Sequence, residues 1–90
     1  MKLYFKRENT ESPLGIGFIY LEFENDCAIR QVEIYGDQYL SSYNKDYHPG
    51  HGPALCDQPL SEIELGSEYQ ISPEEFELVW NEAVRRDSLT

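Results

Sequence analysis

The alternation of apolar and polar residues predicts four β-strands in the first half of the chain, as is typical of strands that bury one face. Two short turn signals, Asn25-Asp26 and Gly36-Asp37, separate the last three strands. Glu8 to Gly15 is polar and contains Pro13, so a loop is predicted between the first two strands. The predicted strands are Lys2 to Arg7, Ile16 to Glu24, Cys27 to Tyr35 and Gln38 to Tyr43.

The Asn25-Asp26 turn also predicts how the second and third strands pair. A two-residue turn sets Ile19 opposite Val32 and places both on one apolar face of the sheet. In this register Arg30 lies opposite Leu21 and interrupts that face. We expect the stem of Arg30 to lie along the core with its charged head at the rim of the sheet.

The segment from Ser72 to Arg86 has the 3.6-residue periodicity of an amphipathic helix. Ser72 is suited to the N-cap, Pro73 to the first turn, and Glu75 to the third position of a capping box. The side chains predicted to face the core are Phe76, Val79, Trp80, Ala83 and Val84.

A sheet with one apolar face needs a cover, and this helix is the obvious candidate. We therefore predict an α+β fold, in which the C-terminal helix packs on one face of a four-stranded, mainly antiparallel meander. Residues 1–90 are expected to form a single domain.

The connection between the fourth strand and the helix is predicted to be mostly loop. Asn44 to Pro59 contains three prolines and two glycines in 16 residues. Leu60 to Gly66 carries a small capping-box pattern that favours one helical turn, and Tyr69 to Ile71 is expected to be extended. Long loops in small domains are often functional.

Charge restricts the classes of partner that the chain can bind. The net charge is −10, and nine acids but no base lie between Lys45 and Arg85. Nucleic acids and anionic membranes are therefore not expected as partners, because both attract basic surfaces. The acids are explained equally well by a solubilising surface or by a binding face for a basic protein.

The compartment is expected to be the cytoplasm. No apolar run approaches the roughly 20 residues that cross a membrane. Cys27 and Cys56 match no metal or redox spacing, so we expect free thiols in a reducing environment.

Catalytic and metal-binding residues are not predicted anywhere in the chain. His48, His51 and Cys56 carry suitable ligand atoms, but their spacing matches no zinc motif and no nucleophile–base arrangement. An enzyme and a bound cofactor are therefore not expected. The loop from Asp46 to Asp57 remains the alternative, as a small-ligand or metal-ion binding module.

A protein-binding surface is the leading functional hypothesis. Leu78 lies on the predicted outer side of the helix among polar neighbours, where it could be a contact residue. The candidate partner-binding residues are Glu62, Glu64, Glu68, Glu74, Glu77 and Leu78.

Two stretches, IYLEFENDCAIRQVEIYGD and ISPEEFELVWNEA, resemble a family of small acidic bacterial domains of unknown function. The resemblance is carried by Tyr20 in a strand, the acidic turn from Glu24 to Asp26, an R-x-V-E strand beginning at Arg30, and the helix from Glu74 to Trp80. Members are similar in size and charge to proteins encoded at toxin–immunity loci. No activity of the family carries over to this chain, and the leading hypothesis of a non-enzymatic, immunity- or inhibitor-like binding protein comes from its acidic surface.

Overall fold

The computed structural model describes residues 2–12, 15–42, 60 and 66–88. Four antiparallel strands form one sheet in the order of the chain, and a C-terminal helix packs against it, so the predicted α+β meander is confirmed. The strands are β1 (Lys2–Ser12), β2 (Gly15–Glu24), β3 (Cys27–Tyr35) and β4 (Gln38–Ser42). A short 3-10 turn (Ser67–Tyr69) precedes the helix α1 (Pro73–Ser88). The loop predicted for Asn44 to Pro59 lies outside the described residues.

β1 is longer than the apolar pattern predicts. It continues to Ser12 and pairs with β2 as far as Gly15, so the loop predicted from Glu8 is wrong for Glu8 to Ser12. The ladder is irregular between Asn9 and Ser12. These residues join the sheet through their backbones, and their polar side chains carry no apolar signal that would reveal a strand.

Both predicted turns are confirmed, and both use backbone conformations with positive φ. Asn25 and Asp26 have φ of 51° and 75°, values that these two residue types tolerate better than most. Gly36 has φ of 62°, which glycine adopts without steric cost. Each turn therefore returns the chain into an antiparallel partner strand.

The register between β2 and β3 differs from the prediction by one residue. Phe23 lies opposite Ala28, as the turn requires, but the ladder then shifts and sets Glu22 opposite Arg30. Ile29 is the extra residue of this bulge. The predicted position of Arg30 opposite Leu21 is therefore wrong.

After the bulge, each side chain of β3 lies on the opposite face of the sheet from the one predicted. Val32 lies opposite Tyr20 instead of Ile19, and Ile19 lies opposite Glu33. The predicted single apolar face, with Ile19 and Val32 side by side, is wrong. Because a one-residue slip moves later side chains to the other face, the sheet has apolar residues on both of its faces.

The helix packs on one of these faces, which we call the helix face. Its core consists of Tyr4, Tyr20 and Val32 from the sheet with Phe76 and Ala83 from α1. The opposite face carries a second core, which Leu3 and Leu60 also contact. The buried members of that core are Phe5, Ile19, Leu21, Phe23 and Ala28. The prediction that α1 covers the face of Ile19 and Leu21 is thus wrong.

Specific backbone contacts fix where α1 begins. The N–H of Ile71 donates to the carbonyl of Tyr4 (2.9 Å), and Gln70 forms an antiparallel bridge with Phe5, so the chain is extended here as predicted for part of Tyr69 to Ile71. The Ser72 hydroxyl accepts a hydrogen bond from the N–H of Glu75 (3.1 Å), which confirms the N-cap. The helix therefore starts at β1, the edge of the sheet.

The inward side of α1 is narrower than predicted. Phe76, Val79, Trp80 and Ala83 pack against the helix-face core, whereas 44% of Val84 is exposed. Near the end of α1, Arg86 contacts β4 and the turn before it. Its guanidinium carbon Cζ lies 4.2 Å from the ring centroid of Tyr39, and its Nη1 donates a hydrogen bond to the carbonyl of Asp37. Across the described part of the chain, α1 is too short and too polar to span a bilayer.

Candidate interaction surface on the C-terminal helix

The outer side of α1 combines one exposed leucine with acidic neighbours. Leu78 is 73% exposed, whereas Phe76, two residues earlier, is fully buried. Glu74 and Glu75 are both exposed and lie one turn before Leu78. We call the exposed stripe of Glu74, Leu78, Asn81 and Arg85 the outer stripe.

The acids of α1 fall into two electrostatic classes. Glu82 accepts hydrogen bonds from the guanidinium groups of Arg85 (2.6 Å) and Arg86 (2.9 Å), which lower its pKa to about 2. Glu74 and Glu75 lie at the N-terminal end, without a base of α1 in the first turn. The negative potential of the helix surface is therefore concentrated around Glu74 and Glu75.

Beneath the helix, Arg30 joins the sheet to α1. Its Nε lies 2.5 Å from Oε1 of Glu22 and its Nη2 lies 2.8 Å from Oε2, a bidentate pair between neighbouring strands. The same Nη2 also pairs with the carboxylate of Glu77 on α1. Glu22 has an exposed fraction of 0%, so Arg30 compensates a fully buried charge.

Aromatic rings enclose the other side of this guanidinium. The carbon Cζ of Arg30 lies 5.0 Å from the ring centroids of both Phe76 and Trp80. These two rings are nearly parallel, at 14°, with centroids 6.4 Å apart. Trp80 therefore belongs to the packing around Arg30, in agreement with its predicted place in the core.

Burial and hydrogen bonding shift three pKa values in this cluster. Burial acts to raise the pKa of Glu22, but hydrogen bonds from Arg30 and Tyr4 outweigh it and leave the pKa lowered. The hydrogen bond to Glu22, together with burial, raises the pKa of Tyr4. The pKa of Arg30 is raised by its bonds to Glu22 and Glu77. All three groups thus favour one arrangement, a charged pair with a neutral phenol.

A second buried carboxylate lies on the opposite face. Glu33, 9% exposed, accepts hydrogen bonds from the Gln31 amide (2.8 Å) and from the Tyr35 hydroxyl. The Asn9 amide donates in turn to the Tyr35 oxygen (2.8 Å). Two neutral donors of β3 therefore bind this carboxylate, and Asn9 of β1 binds one of them, Tyr35.

Tyr35 reaches Glu33 because Gly17 leaves room for it. A Cβ atom at Gly17 would overlap the Tyr35 ring and the carbonyl oxygen of Ile34. The missing side chain of Gly17 is therefore what allows the Tyr35 ring to lie close to β2 at this position.

The structure brings part of the predicted partner-binding set together. Glu74 and Leu78 share the outer stripe, and Glu68 is exposed in the turn before α1. Glu77 is less available than predicted, because Arg30 already pairs with its carboxylate. Glu62 and Glu64 lie outside the described residues.

The cluster around Glu22 was missed by the sequence reasoning, although one signal pointed to it. Arg30 interrupted the predicted apolar face opposite Leu21, which is an unfavourable place for a charge. A slip of one residue moves Arg30 opposite Glu22, its ion-pair partner. Cross-strand charge pairing would therefore have identified the bulge.

The acidic residues and Cys27 of the described part of the chain do not form a metal-binding cluster. Within residues 2–12, 15–42, 60 and 66–88, no three His, Cys, Asp or Glu side chains are grouped to hold a metal ion. His48, His51 and Cys56, with the loop from Asp46 to Asp57, lie outside these residues. Cys27 is an exposed free thiol, as predicted.

Comparison with known proteins adds no relative to this description. No protein-family model, no curated protein and no solved structure matches the chain. The fold and the helix surface are therefore the basis for a functional proposal.

Proposed function

We propose that this chain is a non-enzymatic, immunity- or inhibitor-like module of the bacterial cytoplasm that binds a basic protein. The observation that carries the proposal is Leu78, exposed at 73% beside the acids Glu74 and Glu75. Protein interfaces combine an apolar centre with a polar rim, and Leu78 with its acidic neighbours has this arrangement on a small scale. Its proposed partner presents an apolar pocket bordered by Lys or Arg.

Electrostatics supports this choice of partner. The net charge of −10 attracts a basic surface over long distances and accelerates association by about 10- to 1000-fold at low salt. Arg85 and Arg86 neutralise Glu82 near the end of α1, and Arg30 pairs with Glu77. The contact is thus expected at the N-terminal half of the helix, around Glu74, Glu75 and Leu78, with Glu68 at its margin.

Rigidity of the surface also favours a binding role. Ser72 caps α1, and Phe76, Trp80 and Arg30 fix the helix to the sheet. Because the backbone of the helix is already fixed, only the side chains have to be ordered when a partner binds. The outer stripe is therefore already arranged for contact in the free protein.

Co-purification from the native cytoplasm at low ionic strength tests the proposal. We expect a stoichiometric basic partner that is retained by the wild type and lost above about 0.5 M salt, where surface charges are screened. Leu78→Ala should weaken binding at least about 10-fold, as expected for a central contact. The double change Glu74→Gln with Glu75→Gln should mainly slow association.

Matched controls lie on the sheet. Ile16 is 70% exposed on β2, so Ile16→Ala removes a comparable exposed apolar group, and Glu24→Gln removes one exposed charge from the same strand. Both controls should bind like the wild type. Equal loss of binding in Ile16→Ala and Leu78→Ala, or no partner at low salt, would contradict the proposal.

A further inference from the structure

The outer stripe of α1 has the spacing of a helix–helix seam. Glu74, Leu78, Asn81 and Arg85 follow one another at intervals of four, three and four residues, and all four are exposed. Intervals of three and four residues keep side chains on one line along a helix, as in two-stranded coiled coils. A second helix can therefore meet the stripe lengthwise, with Leu78 as the one apolar residue of the four.

Charge along the stripe is complementary to itself when it is reversed. Glu74 stands near the N-terminus of α1 and Arg85 near its C-terminus, with Leu78 and Asn81 between them. Two copies of the stripe that run antiparallel set each Glu74 against Arg85 of the other copy. We propose that a second copy of this chain binds here, through a two-fold symmetric antiparallel pair of α1 helices.

In this arrangement each Leu78 lies against Asn81 of the other copy, near the two-fold axis. The aliphatic part of each asparagine then shields the leucine, and its amide stays at the solvent border. Val84, on the flank of the stripe and 44% exposed, adds apolar area to the same surface. The dimer thus shields the apolar atoms of Leu78 and Val84, which do not pack against the sheet, from water.

Glu77 and Glu82, which flank the stripe, oppose this pairing only weakly, whereas Glu75 adds negative charge beside Glu74. Arg30 compensates Glu77 on one flank, and Arg85 and Arg86 compensate Glu82 on the other. Arg85 can bridge Glu82 of its own helix and Glu74 of the other copy, because a guanidinium carries five N–H donors. Two such bridges form in each dimer, related by the symmetry axis.

The size of the surface predicts a weak dimer. A helix of 16 residues is about 24 Å long, and its seam holds one leucine per copy. The net charge of −10 on each copy adds repulsion, which about 0.15 M salt screens beyond about 8 Å. We therefore expect a dissociation constant of about 0.1–1 mM.

Self-association uses the same helix surface as the proposed function but does not depend on it. A dimer covers Leu78 and Glu74, so a basic partner must displace the second copy before it binds. The measurements below use this protein alone. If no dimer is found, the proposal of a basic partner still stands. If no basic partner is found, the proposal of a dimer still stands.

Sedimentation equilibrium and diffusion measurements on the full chain, at concentrations up to about 2 mM, test the dimer. The wild type should dimerise reversibly. Glu74→Arg sets two arginines against each other, and Arg85→Glu sets two glutamates against each other, so each single variant should associate at least about 10-fold more weakly. Glu24→Arg, the same charge reversal on β2, is the control and should dimerise like the wild type or more strongly.

Mixing the two single variants separates this antiparallel pair from other forms of association. In the mixed dimer both ion pairs are attractive again, so an equimolar mixture of the Glu74→Arg and Arg85→Glu proteins should recover the affinity of the wild type. The double variant Glu74→Arg/Arg85→Glu should recover it as well. Circular dichroism confirms that each variant keeps its helix. A wild type that stays monomeric at about 2 mM, single variants that dimerise normally, or a mixture that stays monomeric would each overturn the proposal.

Discussion

The two buried carboxylates of the sheet are held in opposite ways. Glu22 on the helix face is paired with the charged guanidinium of Arg30, whereas Glu33 on the opposite face accepts hydrogen bonds from the neutral side chains of Gln31 and Tyr35. Through Arg30, the Glu22 site connects β2 and β3 to α1, whereas the contacts of the Glu33 site stay within the sheet. The buried carboxylate under α1 therefore connects the sheet to the helix, whereas the buried carboxylate on the opposite face connects residues of the sheet only.

This difference predicts unequal sensitivity to mutation. Removal of a cation from a buried carboxylate leaves the full cost of an unpaired charge. Loss of one neutral donor leaves a carboxylate with its other donor still in place. Changes at the Glu22 site should therefore destabilise the protein more than changes at the Glu33 site.

The largest effect is expected from Arg30→Met. It leaves Glu22 buried with only the Lys2 ammonium, 4.0 Å away, as a cation and should lower the free energy of unfolding by about 3 kcal/mol, the lower end for a broken buried pair because Arg30 is partly exposed and Lys2 remains. Urea unfolding followed by Trp80 fluorescence measures this. The double variant Glu22→Leu/Arg30→Met should regain much of the loss, because the buried carboxylate is removed and Glu77, which also loses Arg30, is partly exposed to water. A loss well below 1 kcal/mol in Arg30→Met would show that the pair contributes little.

A smaller effect is expected at the opposite face from Gly17→Ala. The added Cβ overlaps the Tyr35 ring and the Ile34 carbonyl oxygen, so the strand or the ring must move, at a cost of about 2 kcal/mol. Unfolding by urea gives the free energy. Unchanged stability in Gly17→Ala would refute the proposed fit of Tyr35.

Tyr35→Phe tests the neutral site more gently. It removes the hydroxyl that donates to Glu33 and accepts from Asn9 while keeping the ring. We expect a loss of about 1 kcal/mol, clearly less than for Arg30→Met. Thermal unfolding of the two variants side by side is the measurement. Equal losses would remove the contrast between the two sites.

The smallest effect is expected from acid, because the Glu22 pair is intact at neutral pH and is lost only at low pH. The pKa of Glu22 is lowered in the folded protein, so this group stabilises the fold above its unfolded pKa of about 4.3. That stabilisation is lost as the pH falls through the folded pKa. The slope of stability against pH below about 4.3 should therefore be shallower in Glu22→Leu/Arg30→Met than in the wild type. Identical slopes would contradict the assigned pKa direction.

Much of the architecture follows from patterns that are local in the sequence. Asn25-Asp26, Gly36 and Ser72 marked the turns and the helix start, because each relies on a conformation or hydrogen bond typical of its residue type. The polar end of β1 could not be found in this way, because residues 8–12 pair through the backbone. The helix face was assigned wrongly for a single reason, the bulge at Ile29.

The candidate surface was predictable only in outline. Helical periodicity placed Glu74 and Leu78 outside, and exposure agrees with it. That Arg30 pairs with Glu77 depends on the register of β3 and on which face α1 covers, neither of which is local in sequence. Whether an acidic side chain already has an ion-pair partner therefore depends on the tertiary structure, whereas its exposure can be predicted from helical periodicity.

The bulge at Ile29 determines which changes in the length of β3 preserve its pairing with β2. Positions before Ile29 and positions after it follow different odd–even rules, so β3 carries one residue more than an unbroken ladder needs. Removal of Ile29 would keep Arg30 opposite Glu22 and Phe23 opposite Ala28. A further single insertion between Arg30 and Tyr35 would instead turn every later side chain to the other face. This strand can therefore tolerate a change in length at one position and at few others.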